Sequence, residues 1–169
     1  MYKALVVVDV QNDFVTGALG TPEAQAIIPK VCEKIRNFDG DIIVTQDTHY
    51  EDYLETREGK FLPVPHCIKY SDGWQIVDEV KAALRDKGPA TIQKEAFGSP
   101  VLTLYASDYD EMEFIGLCTD ICVISNVLLV KNAFPEMDIK VDSACCAGVT
   151  SAKHEAALEV MRSCQVEVY

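Results

Sequence analysis

The sequence has few basic residues and no basic cluster. Its 169 residues include 15 lysines and arginines against 27 aspartates and glutamates, which gives a formal net charge of −12. Because binding to a phosphate backbone or an anionic bilayer depends on lysine and arginine, neither nucleic acid nor a membrane is expected as a partner. Long apolar runs are also absent: the stretch at 121–130 is about half of a membrane span, and the opening run ends at Asp9. With no signal segment indicated, we expect a cytoplasmic protein.

Histidine is scarce, whereas cysteine is abundant. Seven cysteines in a chain without an export signal do not indicate a disulfide framework, and Cys32, Cys145, Cys146 and Cys164 are interpreted as small buried hydrophobic residues. Of the three histidines, two lie within 49–66, and His154 lies on a predicted helix, where a surface position is expected. No repeat, linker or change of composition divides the chain, so we expect one domain over residues 1–169.

The hydrophobic pattern alternates between strands and helices. Strands are predicted at 3–8, 41–45, 90–93, 113–117 and 139–142, with an edge strand at 165–168. Helices are predicted from Thr21 and Pro22 onward, and at 74–85, 100–105, 120–133 and 151–162. This alternation is typical of a parallel sheet covered by helices on both faces.

Chemically useful residues follow four of the predicted strands. In such folds, ligands bind at the carboxyl ends of the strands. Those positions hold, in chain order, Asp9, then Asp47 and His49, then Lys94, then Cys118 to Cys122. We therefore expect these side chains at one rim of the sheet.

Cys122 is a candidate nucleophile because it lies at a strand-to-helix turn. Unpaired N–H groups and the helix dipole favour the thiolate there, although a buried cysteine at a helix start is the alternative interpretation. The spacing to Cys118 fits no standard zinc or redox pair. Taken alone, Lys94 would be interpreted as a solvated side chain, and Asp9 would be interpreted as a loop cap. Together with Cys122, the lysine would stabilise a thiolate and the carboxylate would shuttle its proton.

A second group of residues favours metal binding. Asp47-Thr48-His49 places a carboxylate and an imidazole on one loop, and His66 follows. These ligand types suit zinc, iron or manganese. A polar loop with no metal is the alternative.

Three segments together resemble the isochorismatase-like cysteine hydrolases, and most of all their nicotinamidase branch. They are VDVQNDF at 8–14, Gln93-Lys94 with Phe97, and GLCTDICV at 116–123, and the first continues into Gly17-Ala18-Leu19. The resemblance covers nearly the whole chain in the same order. It implies a doubly wound three-layer α/β/α sandwich with a mostly parallel central sheet.

The resemblance also implies a catalytic triad of Asp9, Lys94 and Cys122. Cys122 would attack an amide carbonyl, Asp9 would take the thiol proton and later deliver it to ammonia, and water would hydrolyse the thioester. Backbone N–H groups of Cys118 and Cys122 would form the oxyanion hole, next to a cis peptide between Leu117 and Cys118. The implied reaction converts nicotinamide into nicotinate, a step of NAD salvage.

In the nicotinamidase branch a divalent metal holds the pyridine nitrogen of the substrate. The resemblance implies Asp47, His49 and His66 as ligands. Glu58 is expected as the fourth, with Glu55 as the alternative. Zinc is the expected ion, with iron and manganese as alternatives.

The chain departs from the branch at the third metal ligand. The segment reads Pro63-Val64-Pro65-His66, where relatives commonly have Pro-Pro-His, so the extra Val64 is expected to move His66. No tryptophan precedes these prolines, which leaves Phe14 or Phe61 to stack on a substrate ring, beside Leu19 in the pocket.

Two other functions remain open at this point. One is a related hydrolase acting on a carbamoyl or monoamide substrate, and the other is a non-enzymatic metal-binding or redox domain. A small-molecule amide is the expected partner of the enzyme. The resemblance further implies a homo-oligomer.

Overall fold

Six parallel strands form the central sheet in the computed structural model, which describes residues 2–169. The sheet order is β3-β2-β1-β4-β5-β6. The chain winds outward from β1 to β3, returns to place β4 beside β1, and then winds the opposite way. This is the predicted doubly wound topology. The strands are β1 (Lys3–Val8), β2 (Asp41–Asp47), β3 (Ala90–Lys94), β4 (Glu111–Leu117), β5 (Asp138–Ala147) and β6 (Glu167–Val168).

Helices cover both faces of the sheet, which confirms the three-layer sandwich. Alternate residues of β1 point into two separate cores: Leu5 and Val7 pack in the core on one face of the sheet, and Val6 packs in the core on the other face. A strand buried on both faces therefore reads as a continuous apolar run. The helices are α1 (Asn12–Val15), α2 (Pro22–Asn37), α3 (Arg57–Phe61), α4 (Asp78–Leu84), α5 (Pro100–Ala106), α6 (Ile124–Ala133) and α7 (Ser151–Ser163).

The predicted helix at 74–85 is wrong in its first four residues, since the helix spans only Asp78–Leu84. Ile76 instead forms an antiparallel bridge with Gln11, and the Val77 N–H donates to the Val10 carbonyl at 3.1 Å. The apolar residues before Asp78 are buried in non-helical chain, so their spacing imitates a helical face. No helix among residues 2–169 has the length and apolarity needed to cross a bilayer.

The strand order reverses between β1 and β4, and their carboxyl ends open a crevice there. Asp9 follows β1 directly and takes a left-handed backbone conformation with φ of 48°. Gly116, near the end of β4, has φ of 118°, and a Cβ there would overlap the Val8 backbone. Glycine at this position lets the two central strands approach closely at the crevice.

Candidate active site

Three strand ends bring Asp9, Lys94 and Cys122 together at the crevice. Lys94 Nζ lies 2.6 Å from Asp9 Oδ2 and 3.5 Å from Cys122 Sγ. The three residues are almost fully buried, at 0%, 5% and 5% exposure respectively. A buried lysine keeps its charge only with partners of opposite charge, and here the partners are the carboxylates of Asp9 and Asp47.

Hydrogen bonds from neighbouring elements fix each member of this trio. The Thr45 hydroxyl donates to Asp9 Oδ1 at 2.6 Å, and Lys94 Nζ donates to the Ala96 carbonyl at 3.0 Å. Asn126 of α6 donates to the Cys122 carbonyl at 2.8 Å, while its Oδ1 accepts from the Ser99 N–H at 2.9 Å. The nucleophile turn is thereby joined to the loop after β3.

The pKa of Cys122 differs from the expectation for a cysteine at the start of a helix, where the thiolate would be favoured. Burial and the Asp9 carboxylate raise the pKa of Cys122 well above its usual range, and the opposing charge of Lys94 does not compensate. Burial also raises the pKa of Asp9, with Lys94 opposing it. The pKa of Lys94 is raised because the charges around it outweigh its burial. The resting site therefore holds a thiol beside a proton acceptor and a permanent cation.

The turn that carries Cys122 begins at a cis peptide between Leu117 and Cys118, as the resemblance implies. Residues Thr119–Val123 form a single π-helical turn that leads into α6. Burial raises the pKa of Cys118 to about 12, so its thiol is protonated as well. His154, expected on the surface, is half-buried instead, and its Nδ1 lies 2.7 Å from Thr119 Oγ1.

The expected metal ligands also converge. One ligand atom from each of Asp47, His49 and His66 lies within 4.8 Å of the others, and all three residues are buried. Glu58 Oε1 is 3.7 Å from His49 Nε2 and 3.6 Å from His66 Nε2. Glu55 is exposed and lies outside this cluster. Two imidazoles and two carboxylates that face one another fit a divalent cation.

The extra residue Val64 does not displace His66. The His66 Nδ1–H donates to the Val64 carbonyl at 2.8 Å, which leaves Nε2 facing Asp47 and Glu58. A backbone acceptor on one ring nitrogen fixes the tautomer that offers the other to a metal. The inserted residue thus orients the ligand that it was expected to move.

Gln11 supports the metal cluster through hydrogen bonds to the end of β2. The sequence pattern did not predict a role for it. Its side chain accepts from the Asp47 N–H at 2.7 Å and donates to the Asp47 carbonyl at 2.8 Å and the Trp74 carbonyl at 2.9 Å. This fully buried amide fixes the end of β2, which carries the ligand Asp47. The available signal was a polar residue two positions after Asp9, on the extended chain leaving a buried strand.

A cavity of about 700 Å³ is lined by Cys122 of the trio and by Asp47, Glu58 and His66 of the metal cluster. The predicted pocket residues Phe14, Leu19 and Phe61 all line it, with Cys122 and His66 in its wall. Further lining residues that the sequence did not indicate include Arg57, Leu62, Ile121, Val149 and Lys153. Phe61 is 77% exposed and lies at the rim. The apolar side chains offer contacts to an apolar ligand group, and the thiol and the metal ligands offer polar contacts in the same cavity.

Comparisons with known proteins agree with this geometry. The isochorismatase domain family matches residues 3–169. The nicotinamidase/pyrazinamidase of Mycobacterium tuberculosis is 28% identical over 186 aligned positions, covering 98% of this chain and 97% of that enzyme. The nicotinamidase of Saccharomyces cerevisiae is 32% identical over 108 residues, which span 46% of this chain and 50% of the yeast enzyme.

Among solved structures, the pyrazinamidase of Pyrococcus horikoshii in complex with zinc superimposes with a TM-score of 0.85 at 29% identity. The match covers 100% of this chain and 99% of that protein. None of these relatives supports a non-enzymatic domain. The chain therefore belongs to the isochorismatase family, and its relatives place it in the nicotinamidase branch.

Proposed function

We propose that this chain is a metal-dependent nicotinamidase that converts nicotinamide into nicotinate and ammonia. The coarser statement, that it is a hydrolase of amide bonds, rests on the family and the relatives. One observation carries the narrower proposal: Asp47 and His66 line the same cavity as Cys122. A pyridine nitrogen and a carboxamide on one ring would engage both.

The chain's own residues account for the covalent steps. Cys122 Sγ attacks the amide carbonyl as its proton passes to Asp9, and backbone N–H groups of Cys118 and Cys122 hold the oxyanion. The C–N bond breaks as Asp9 returns the proton to the nitrogen, which leaves as ammonia. Asp9 then deprotonates a water that attacks the thioester, and the carboxylic acid and the Cys122 thiol are released.

Lys94 keeps the charge of this cycle in balance. Its ammonium group contacts both Asp9 and Cys122, so it stabilises whichever of them is the anion at each step. Burial removes competing water, which strengthens that interaction. The cation reduces, without cancelling, the cost of ionising the Cys122 thiol, whose resting pKa is raised by burial.

A divalent ion would be held by Asp47, His49, Glu58 and His66, and when bound it supplies a Lewis-acidic partner for the ring nitrogen. Zinc is the proposed ion, since it accepts nitrogen and oxygen ligands and the Pyrococcus horikoshii relative is a zinc complex. Phe14, Leu19 and Phe61 would contact the ring. Assembly as a homo-oligomer, implied by the resemblance, stays a prediction.

The test is ammonia release from nicotinamide by the zinc-loaded protein. We expect release from the wild type, none from Cys122→Ala, and recovery in a chelated sample once zinc is returned. Cys164→Ala is the matched control, because Cys164 is also a free cysteine but lies outside the cavity. A folded, zinc-loaded wild type that releases no ammonia would reject nicotinamide as the substrate.

A further inference from the structure

The turn that carries the nucleophile is bonded to α7 by a residue with no place in the mechanism above. Thr119 is fully buried, follows Cys118 and precedes Cys122 by three positions. Its Oγ1 lies 2.7 Å from Nδ1 of His154 on α7. His154 does not line the cavity, so it does not touch a bound substrate itself.

A second contact joins the same two elements. Asp120 Oδ1 accepts from the Val149 N–H at 2.9 Å, just before α7 begins. A Cβ at Gly148 would lie 2.8 Å from Asp120 Oδ1 and 2.9 Å from the backbone nitrogen of His154, so a side chain at this position would collide with both. Two consecutive residues of the turn, Thr119 and Asp120, are therefore held by the segment around the start of α7.

We propose that His154 is a positioning residue for the nucleophile turn. Its hydrogen bond to Thr119 fixes the 118–122 backbone, and with it the Cys118 and Cys122 N–H groups and the direction of Cys122 Sγ. The inference rests on the proposed function for the roles of those groups. Preorganised donors stabilise the oxyanion only when aimed at its final position, so small shifts of this backbone reduce the rate.

The hydrogen bond can be removed from either side with matched variants. Thr119→Val keeps the shape and loses the hydroxyl, whereas Thr119→Ser retains it. His154→Ala removes the ring, whereas His154→Asn leaves a hydrogen-bonding amide near the Nδ1 position. We expect kcat to fall about tenfold or more in Thr119→Val and His154→Ala, with KM within about twofold of wild type. The serine and asparagine variants should recover most of the loss.

The double variant Thr119→Val/His154→Ala distinguishes a shared bond from two separate effects. If both single changes remove the same interaction, the double variant is no slower than the slower single variant. Glu155→Gln is the control, since Glu155 is exposed and 4.0 Å from His154 Nε2, on the far side of the ring from Thr119. It should leave the rate unchanged.

A readout without turnover separates this inference from the proposed function. Pyridine-3-carbaldehyde forms a thiohemiacetal with a thiol, whose oxygen would occupy the oxyanion hole, and its affinity is measured by calorimetry against Cys122→Ala. We expect Thr119→Val and His154→Ala to weaken it about as much as they lower kcat, while nicotinamide affinity is unchanged.

The outcomes differ for the two ideas. If the wild type binds the aldehyde but does not hydrolyse nicotinamide, the proposed substrate fails and the aldehyde affinities still decide the role of His154. If Thr119→Val and His154→Ala keep wild-type kcat and aldehyde affinity and lose only thermal stability, the bond is merely structural and the inference is wrong. A wild type that neither binds the aldehyde nor turns over nicotinamide overturns both.

Discussion

Lys94 and Asp47 form a buried ion pair, with Nζ 3.2 Å from Oδ1, and this pair joins the trio to the metal cluster. The other carboxylate oxygen of Asp47 lies 3.0 Å from His49 Nε2. The hydrogen bond with His49 and the charge of Lys94 lower the pKa of Asp47 in spite of its burial. A change of charge at the metal cluster is therefore felt by the ammonium group that contacts Cys122.

Replacement of Lys94 should impair both catalysis and folding. Lys94→Ala leaves Asp9 and Asp47 as buried carboxylates without their cation, so we expect the metal-free protein to lose about 3–5 kcal/mol of unfolding free energy. Activity per folded molecule should fall about a hundredfold or more. Lys140→Ala, which removes a more exposed lysine paired with Glu111 at 2.7 Å, should cost far less. Near-normal turnover in Lys94→Ala would remove the lysine from the mechanism.

The pH dependence of Cys122 alkylation tests its protonation state. Because burial and Asp9 raise the pKa of Cys122 above 9, the thiolate fraction is small at neutral pH and grows as the pH rises. In metal-free protein, the iodoacetamide rate should increase through pH 9 without a plateau, as followed by mass spectrometry. Cys122→Ala corrects for Cys118 and Cys164. A plateau already reached at pH 7 would show a resting thiolate.

The fourth metal ligand can be identified by zinc titration. Glu58→Gln should weaken zinc binding, because Glu58 Oε1 faces both imidazoles at less than 4 Å. Glu55→Gln should bind zinc like the wild type, since Glu55 is exposed and outside the cluster. Competition with a colorimetric chelator gives both affinities. The reverse ranking would make Glu55 the ligand.

Metal removal should affect substrate binding more than folding. The cluster lies at the rim of a sheet whose two cores are complete without it. Calorimetry with nicotinamide on the inactive Cys122→Ala variant should therefore show a large loss of affinity after chelation, whereas thermal unfolding shifts only modestly. If the melting temperature collapses and affinity per folded molecule is retained, the metal is structural.

Much of the site was predictable because one topological rule governs it. Asp9, Asp47, Lys94 and Cys122 follow different strands, and parallel strands end at the same edge, so the pattern alone places them together. Glu58 needed the family resemblance, since it lies on the short helix α3 rather than at the end of a strand.

Other features depend on contacts that no local pattern contains. The bond between Thr119 and His154 joins residues 35 positions apart, and it depends on which face of α7 meets the turn. The raised pKa of Cys122 results from burial beside a carboxylate, whereas the sequence indicated only a helix start. At 74–77, apolar spacing predicted a helix, yet the chain makes a turn at Trp74 and Ile76 then pairs with Gln11.

The reversal of strand order also sets the sequence of events during synthesis. β1 pairs on one side with β2 but on the other with β4, more than 100 residues later, so one edge of β1 stays unpaired until Glu111–Leu117 emerge from the ribosome. The candidate metal ligands, all within 47–66, are translated well before the nucleophile. A nascent chain could thus gather its metal ligands early, while an exposed strand edge, prone to pairing with other chains, awaits the segment that also brings Cys122.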